Sequence, residues 1–141
     1  MLIVQIEQTE SYDLQRWSDL MNILHVDDSP EICQLYADML AVGNNCVKSV
    51  TDGKEGLDLA LKNDYDLILL DICMPKYSGM EFIYDLKAKR PSAIKKVIIV
   101  SVLELSESHR NELLKLGIHS IEEKPSTIQK LETIKKDLLL H

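Results

Sequence analysis

The chain has 141 residues, carries 16 Lys+Arg against 23 Asp+Glu for a net charge of −7, and is 45% hydrophobic. That length suits one domain with a sizeable core, and the acidic balance argues against a direct nucleic-acid binder, which needs a basic face. No apolar run approaches the roughly 20 residues that cross a bilayer, and the N-terminus lacks the basic start and apolar stretch of a secretory signal. A cytoplasmic protein without membrane insertion is expected. Cys33, Cys46 and Cys73 are odd in number and lack CxxC spacing, which indicates reduced thiols rather than a disulfide framework or zinc.

Residues 1–20 stand apart. They are acidic through Glu7, Glu10, Asp13 and Asp19 and hold the only tryptophan, Trp17. They read as an N-terminal extension, loosely held as termini usually are, before a domain at 21–141. From Met21 the pattern alternates strand and helix. A strand is expected at about 22–27, then a helix capped by Ser29 with Pro30 at its first position. Ile32, Leu35, Tyr36, Met39 and Leu40 recur at helical spacing, and Gly43 can end the helix. A second strand falls at about 46–50, and Asp52-Gly53 turns into a helix carrying Leu57, Leu59, Ala60 and Leu61. The third strand, about 66–70, leads to a loop with Pro75 and Gly79. Met80 to Lys89 suits a helix that Pro91 cannot continue. Val97-Ile98-Ile99-Val100 is the most β-branched run and reads as strand four. A helix over about 106–116 ends at Gly117, and a short strand follows at about 118–122. Ser126 or Thr127 then caps a last helix with Ile128, Leu131, Ile134 and Leu138 on one face. Five repeats of strand then helix predict an α/β fold: a doubly wound five-stranded parallel sheet with helices on both faces.

The ends of these strands carry the chemistry. Apolar runs such as Ile23-Leu24-His25-Val26 and Leu67-Ile68-Leu69-Leu70 suit buried parallel strands, and they close on Asp27-Asp28 and on Asp71. Open α/β sheets bind ligands at that C-terminal edge. An acidic pair before a helix is, alone, a common capping arrangement. A third acid on another strand end implies convergence, which needs a cation, and Mg²⁺ is the hard ion that takes oxygen ligands. Ser101 follows strand four and offers a hydroxyl donor. Lys124 follows strand five and offers a cation for an anionic group, its backbone biased to an extended form by Pro125.

The segments Ile23-Leu24-His25-Val26-Asp27-Asp28-Ser29, Asp71-Ile72-Cys73-Met74-Pro75, Ser78-Gly79-Met80, Ser101 and Lys124-Pro125 resemble the receiver domain of two-component response regulators, including the single-domain chemotaxis type. The resemblance spans roughly residues 21–140. It implies the flavodoxin-like strand order 2-1-3-4-5. It also implies that Asp71 is a nucleophile taking a phosphoryl group from a phosphohistidine. Asp28, Asp71 and the Cys73 backbone carbonyl would ligate Mg²⁺, with Asp27 holding the ion through water. Ser101 and Lys124 would bind phosphoryl oxygens. Such a domain catalyses its own phosphorylation and dephosphorylation without being a metabolic enzyme. Its implied partners are a sensor histidine kinase or histidine phosphotransferase, and a downstream protein on the face of helix four, strand five and helix five.

Three positions depart from the commonest family pattern. Ile121 stands where Tyr or Phe is usual, which puts aromatic gating in doubt and suits a core residue. Val102 stands where Ala or Gly is frequent and is expected to crowd the approach of water or donor to Asp71. Cys73, two residues past the nucleophile, is expected to be partly buried and inert. His25 is expected to be a satisfied core or edge histidine. A dehalogenase-type phosphatase would need a second acid at position 73, and an FMN binder would want a phosphate-cradling loop where Asp27-Asp28 stands. No Walker-type Lys motif exists. A receiver-like binding module independent of phosphorylation remains the alternative, with the full residue set against it.

Overall fold

The computed structural model describes residues 21–41, 45–101 and 104–123. In chain order the elements are β1 (Asn22–Val26), α1 (Pro30–Ala41), β2 (Cys46–Val50), α2 (Gly53–Lys62), β3 (Leu67–Asp71), α3 (Gly79–Lys89), a 3₁₀ turn (Pro91–Lys96), β4 (Val97–Ser101), α4 (Glu107–Lys115) and β5 (Ser120–Glu123). The strands form one parallel sheet in the order β2-β1-β3-β4-β5, as expected. The extension at 1–20, Gly43, Val102, Lys124 and the last helix lie outside the described residues.

Side chains alternate across the sheet, as strand geometry requires. Leu24, Val26, Ile68, Leu70 and Ile99 face one side, where Leu57 of α2, Phe82 of α3 and Leu113 of α4 cover them. Ile23, Leu67, Leu69, Ile98 and Val100 face the other, under Tyr36 and Leu40 of α1. All five residues of β3 and of β4 are buried, which is why those strands read as unbroken apolar runs. Each large aliphatic side chain so buried contributes about 1.5–3 kcal/mol. Edge strand β2 is instead half-exposed along most of its length.

Helix starts follow local chemistry. The Ser29 hydroxyl accepts from the Ile32 N–H at 3.3 Å. Asp52 accepts from the Lys54 and Glu55 N–H groups, so it is the N-cap of α2 and not only a turn residue. Ser78 and Glu81 form a reciprocal capping box on α3, and Ser106 caps α4. Gly117 ends α4 with φ of 100°, a conformation that favours glycine. Pro91 stops α3 as expected, but the chain continues as the unforeseen 3₁₀ turn, which buries Ala93 and Ile94.

Strand boundaries differ by one or two residues from the pattern-based ones, and the ladder explains each. Asp71 pairs with Val100, and Ser101 with Glu123, so both belong to their strands. Asp27 leaves β1, although its N–H still donates to the Val50 carbonyl at 3.1 Å. Pairing of β5 begins at Ser120 opposite Ile98.

Gly79 marks the tightest approach behind the Asp71 strand end. A Cβ there would lie 2.6 Å from the Ile72 Cα and 2.8 Å from the Asp71 carbonyl oxygen. Both are backbone atoms, so neither can swing aside. Gly79→Ala should therefore destabilise the protein by about 1–3 kcal/mol, the usual cost of overpacking. Urea denaturation reads this, and undiminished stability would show that the loop yields freely.

Candidate functional site

The site grows from the C-terminal edge of three adjacent strands. Asp27 follows β1, Asp71 ends β3 and Ser101 ends β4. Asp27, Asp71 and Ser101 are buried, whereas Asp28 is exposed. One oxygen from each of Asp27, Asp28 and Asp71 lies within 4.8 Å of the others. The sheet thus brings Asp71 to an acidic pair that lies 43 or more positions earlier in the chain (71 − 28 = 43).

Each buried carboxylate is aimed by its own backbone. An Asp27 oxygen accepts from the Ser29 N–H at 3.0 Å, and an Asp71 oxygen accepts from the Cys73 N–H at 3.2 Å. Both are Asx turns, in which a short acid bonds the amide two residues on. The Cys33 thiol of α1 lies 3.4 Å from the Asp27 carbonyl, tying helix to strand end. Sequence patterning singled out neither Cys33 nor Tyr77, which buries itself in the loop after β3. The one visible signal for Tyr77 is an aromatic residue inside a Pro/Gly-bounded loop.

Other expectations resolve more simply. His25 is buried with its ring 4.8 Å from that of Tyr36, a core histidine. Ile121 is partly buried against the core. Cys73 was expected to be partly buried and is exposed, because it sits where the chain has left the sheet. Lys124, the expected cation, lies outside the described residues.

The charges decide what this cluster can do. Two unit charges about 5 Å apart repel by roughly 0.8 kcal/mol in bulk water and about 3 kcal/mol at an effective dielectric near 20. Three such carboxylates could hold a cation. The donor set fits Mg²⁺, because all the donors are the hard oxygens this ion takes.

The Response regulator receiver domain profile matches residues 23–136. The chain belongs to the response regulator receiver family. Members of this family are phosphoacceptor domains of two-component signalling and work with histidine kinases. The receiver is 33% identical over 118 residues to Two-component response regulator 24 of Arabidopsis thaliana, covering 81% of each chain. It is 32% identical over 74 residues to the transcriptional regulatory protein HprR of Escherichia coli, but spans only 33% of that protein against 52% of its own length. Among solved structures it is similar to a CheY-like receiver domain protein from Methanospirillum hungatei JF-1, with a TM-score of 0.76 and 28% identity over 86% of this chain and 95% of that one. The receiver domain of sensor histidine kinase PA1611 from Pseudomonas aeruginosa PAO1, solved with magnesium coordinated in its active-site cleft, shares the fold at a TM-score of 0.75 and 24% identity, over 86% of this chain and 98% of that one.

Repulsion within the cluster should be visible in the receiver's stability. Removing the exposed charge with Asp28→Asn should stabilise the cation-free protein by about 1 kcal/mol, the scale of one relieved repulsion. Thermal unfolding in excess chelator measures it, and a lower midpoint in the variant would mean the three charges are already neutralised.

Proposed function

We propose that Asp71 is the phosphoacceptor of this receiver, with Mg²⁺ as cofactor. The observation that carries the reading is the meeting of the Asp27, Asp28 and Asp71 oxygens at one sheet edge. Asp28, Asp71 and the Cys73 carbonyl would hold the ion directly, and Asp27 through water. The bound ion would supply positive charge that offsets the repulsion between carboxylate and anionic donor.

The chain's own residues do the rest. Phosphoryl transfer asks for in-line positioning and charge neutralisation more than covalent chemistry. Asp71 offers an oxygen lone pair at a fixed strand end, and its other oxygen is steadied by the Cys73 amide. The oxygen attacks phosphorus as the bond to the donor's histidine nitrogen breaks, leaving an aspartyl phosphate. The receiver would thus catalyse its own phosphorylation, and hydrolysis would reset it. Ser101 would donate to one phosphoryl oxygen and Lys124 would pair with another. Movement of their loops would alter the face of α4, β5 and the last helix for a downstream protein. Such a ligand shifts the equilibrium only by its differential affinity for the two states.

The proposed donor is a sensor histidine kinase or histidine phosphotransferase, in the cytoplasm. Residues 1–20 are proposed to be an extension outside the receiver unit at 21–141. No described helix is long and apolar enough to cross a membrane.

Incubation with Mg²⁺ and acetyl phosphate should add one phosphoryl group by intact mass. Chelation or Asp71→Asn should abolish it, and equal labelling of the variant would reject Asp71 as acceptor. In the same assay Val102→Ala should lose its phosphate faster than the wild type; an unchanged rate removes Val102 from the account.

A further inference from the structure

We propose that Tyr77, through the hydrogen bond of its hydroxyl to Asp85, is a positioning residue that sets the loop between β3 and α3 for cation binding at the carboxylate cluster. This rests on the reading that the cluster holds Mg²⁺.

The loop of residues 72–78 is fastened at its ends. The Cys73 N–H bonds Asp71, the Gly79 N–H donates to the Ile72 carbonyl at 3.1 Å, and the capping box fixes Ser78. Between them runs the stretch that presents the Cys73 carbonyl. Tyr77 is its inner anchor, only 8% exposed. A Cβ on Gly53 would lie 2.9 Å from the Tyr77 ring and 2.9 Å from its carbonyl oxygen, so the loop rests directly on the first turn of α2. The Lys54 ammonium sits 5.8 Å from the ring centroid, within cation–π range. The hydroxyl donates to the Asp85 carboxylate of α3 and lies 3.3 Å from the Glu81 carbonyl. Burial, and then the bond to Asp85, hold the phenol's pKa well above its ordinary value, so it stays a donor.

Tyr77 and Asp28 both line a cleft of about 290 Å³. Met74, Pro75, Lys76 and Tyr77 of the loop line it together with Asp28 and Asp52. The loop that Tyr77 anchors thus shares a cleft with Asp28, and its Cys73 carbonyl would complete the cation's ligand set. Mg²⁺ tolerates little deviation from octahedral geometry, so a loosened loop should weaken binding more than it weakens the fold. Tyr77→Phe removes the hydroxyl alone and keeps the ring on Gly53.

The test is Mg²⁺ titration of the full chain by calorimetry, with cation-free thermal unfolding of each variant in parallel. Tyr77→Phe and Asp85→Ala should each raise the Mg²⁺ Kd about 3–10-fold, a part of the roughly 10- to 100-fold that one hydrogen bond to a charged group is worth. The double variant should be no weaker than either single one. Asp85→Asn, which keeps an oxygen acceptor, should retain affinity closer to wild type. A lowered unfolding midpoint with unchanged Kd in Tyr77→Phe would make the residue merely structural and overturn the inference. Absence of Mg²⁺ binding by the wild type would reject both the inference and the reading beneath it.

Discussion

Three carboxylates that share one small pocket repel one another unless a counter-charge lies among them, and this protein builds such a pocket. Repulsion on the scale of one to three kcal/mol per pair is a large fraction of the marginal stability of a domain this size. The sheet imposes it anyway. β1 and β3 are hydrogen-bonded neighbours, so the residues at their C-terminal ends must lie side by side. Two of the three acids are buried there, each aimed by an amide two residues on. Under the proposed reading a cation would turn that electrostatic cost into affinity, and its charge would let the cluster accept an anionic phosphoryl group.

The loop after β3 links the fold to the chemistry. Gly79 lets the start of α3 press against the Asp71–Ile72 backbone, where a side chain would collide. The capping box of Ser78 and Glu81 sets where α3 begins. Tyr77 fastens the C-terminal part of the loop to Asp85 on one side and rests on Gly53 on the other. Stability and site geometry therefore meet in one short segment.

Much of this was legible in the residues. The unbroken runs of β3 and β4 signalled central parallel strands, and turn chemistry at Ser29-Pro30 and Gly117 marked helix limits that the structure reproduces. Asp27, Asp28 and Asp71 could be grouped because each closes an apolar run, and proximity follows once the strands are parallel neighbours. Ser101 was found as a strand-end hydroxyl by the same logic. Tyr77 was not, because its role depends on a partner eight residues on, across a loop and a helix turn, and no periodicity connects them. The 3₁₀ turn was missed because its buried Ala93 and Ile94 are too short a run to carry a period.

The central claim, that one cation is held jointly by the strand-end acids, is tested most directly with paramagnetic Mn²⁺ in place of Mg²⁺. Amide resonances of Asp27, Asp28, Asp71 and Cys73 should broaden first and together at substoichiometric Mn²⁺, and excess Mg²⁺ should restore them. Broadening scattered over the other surface acids, with these four amides unaffected, would contradict the account.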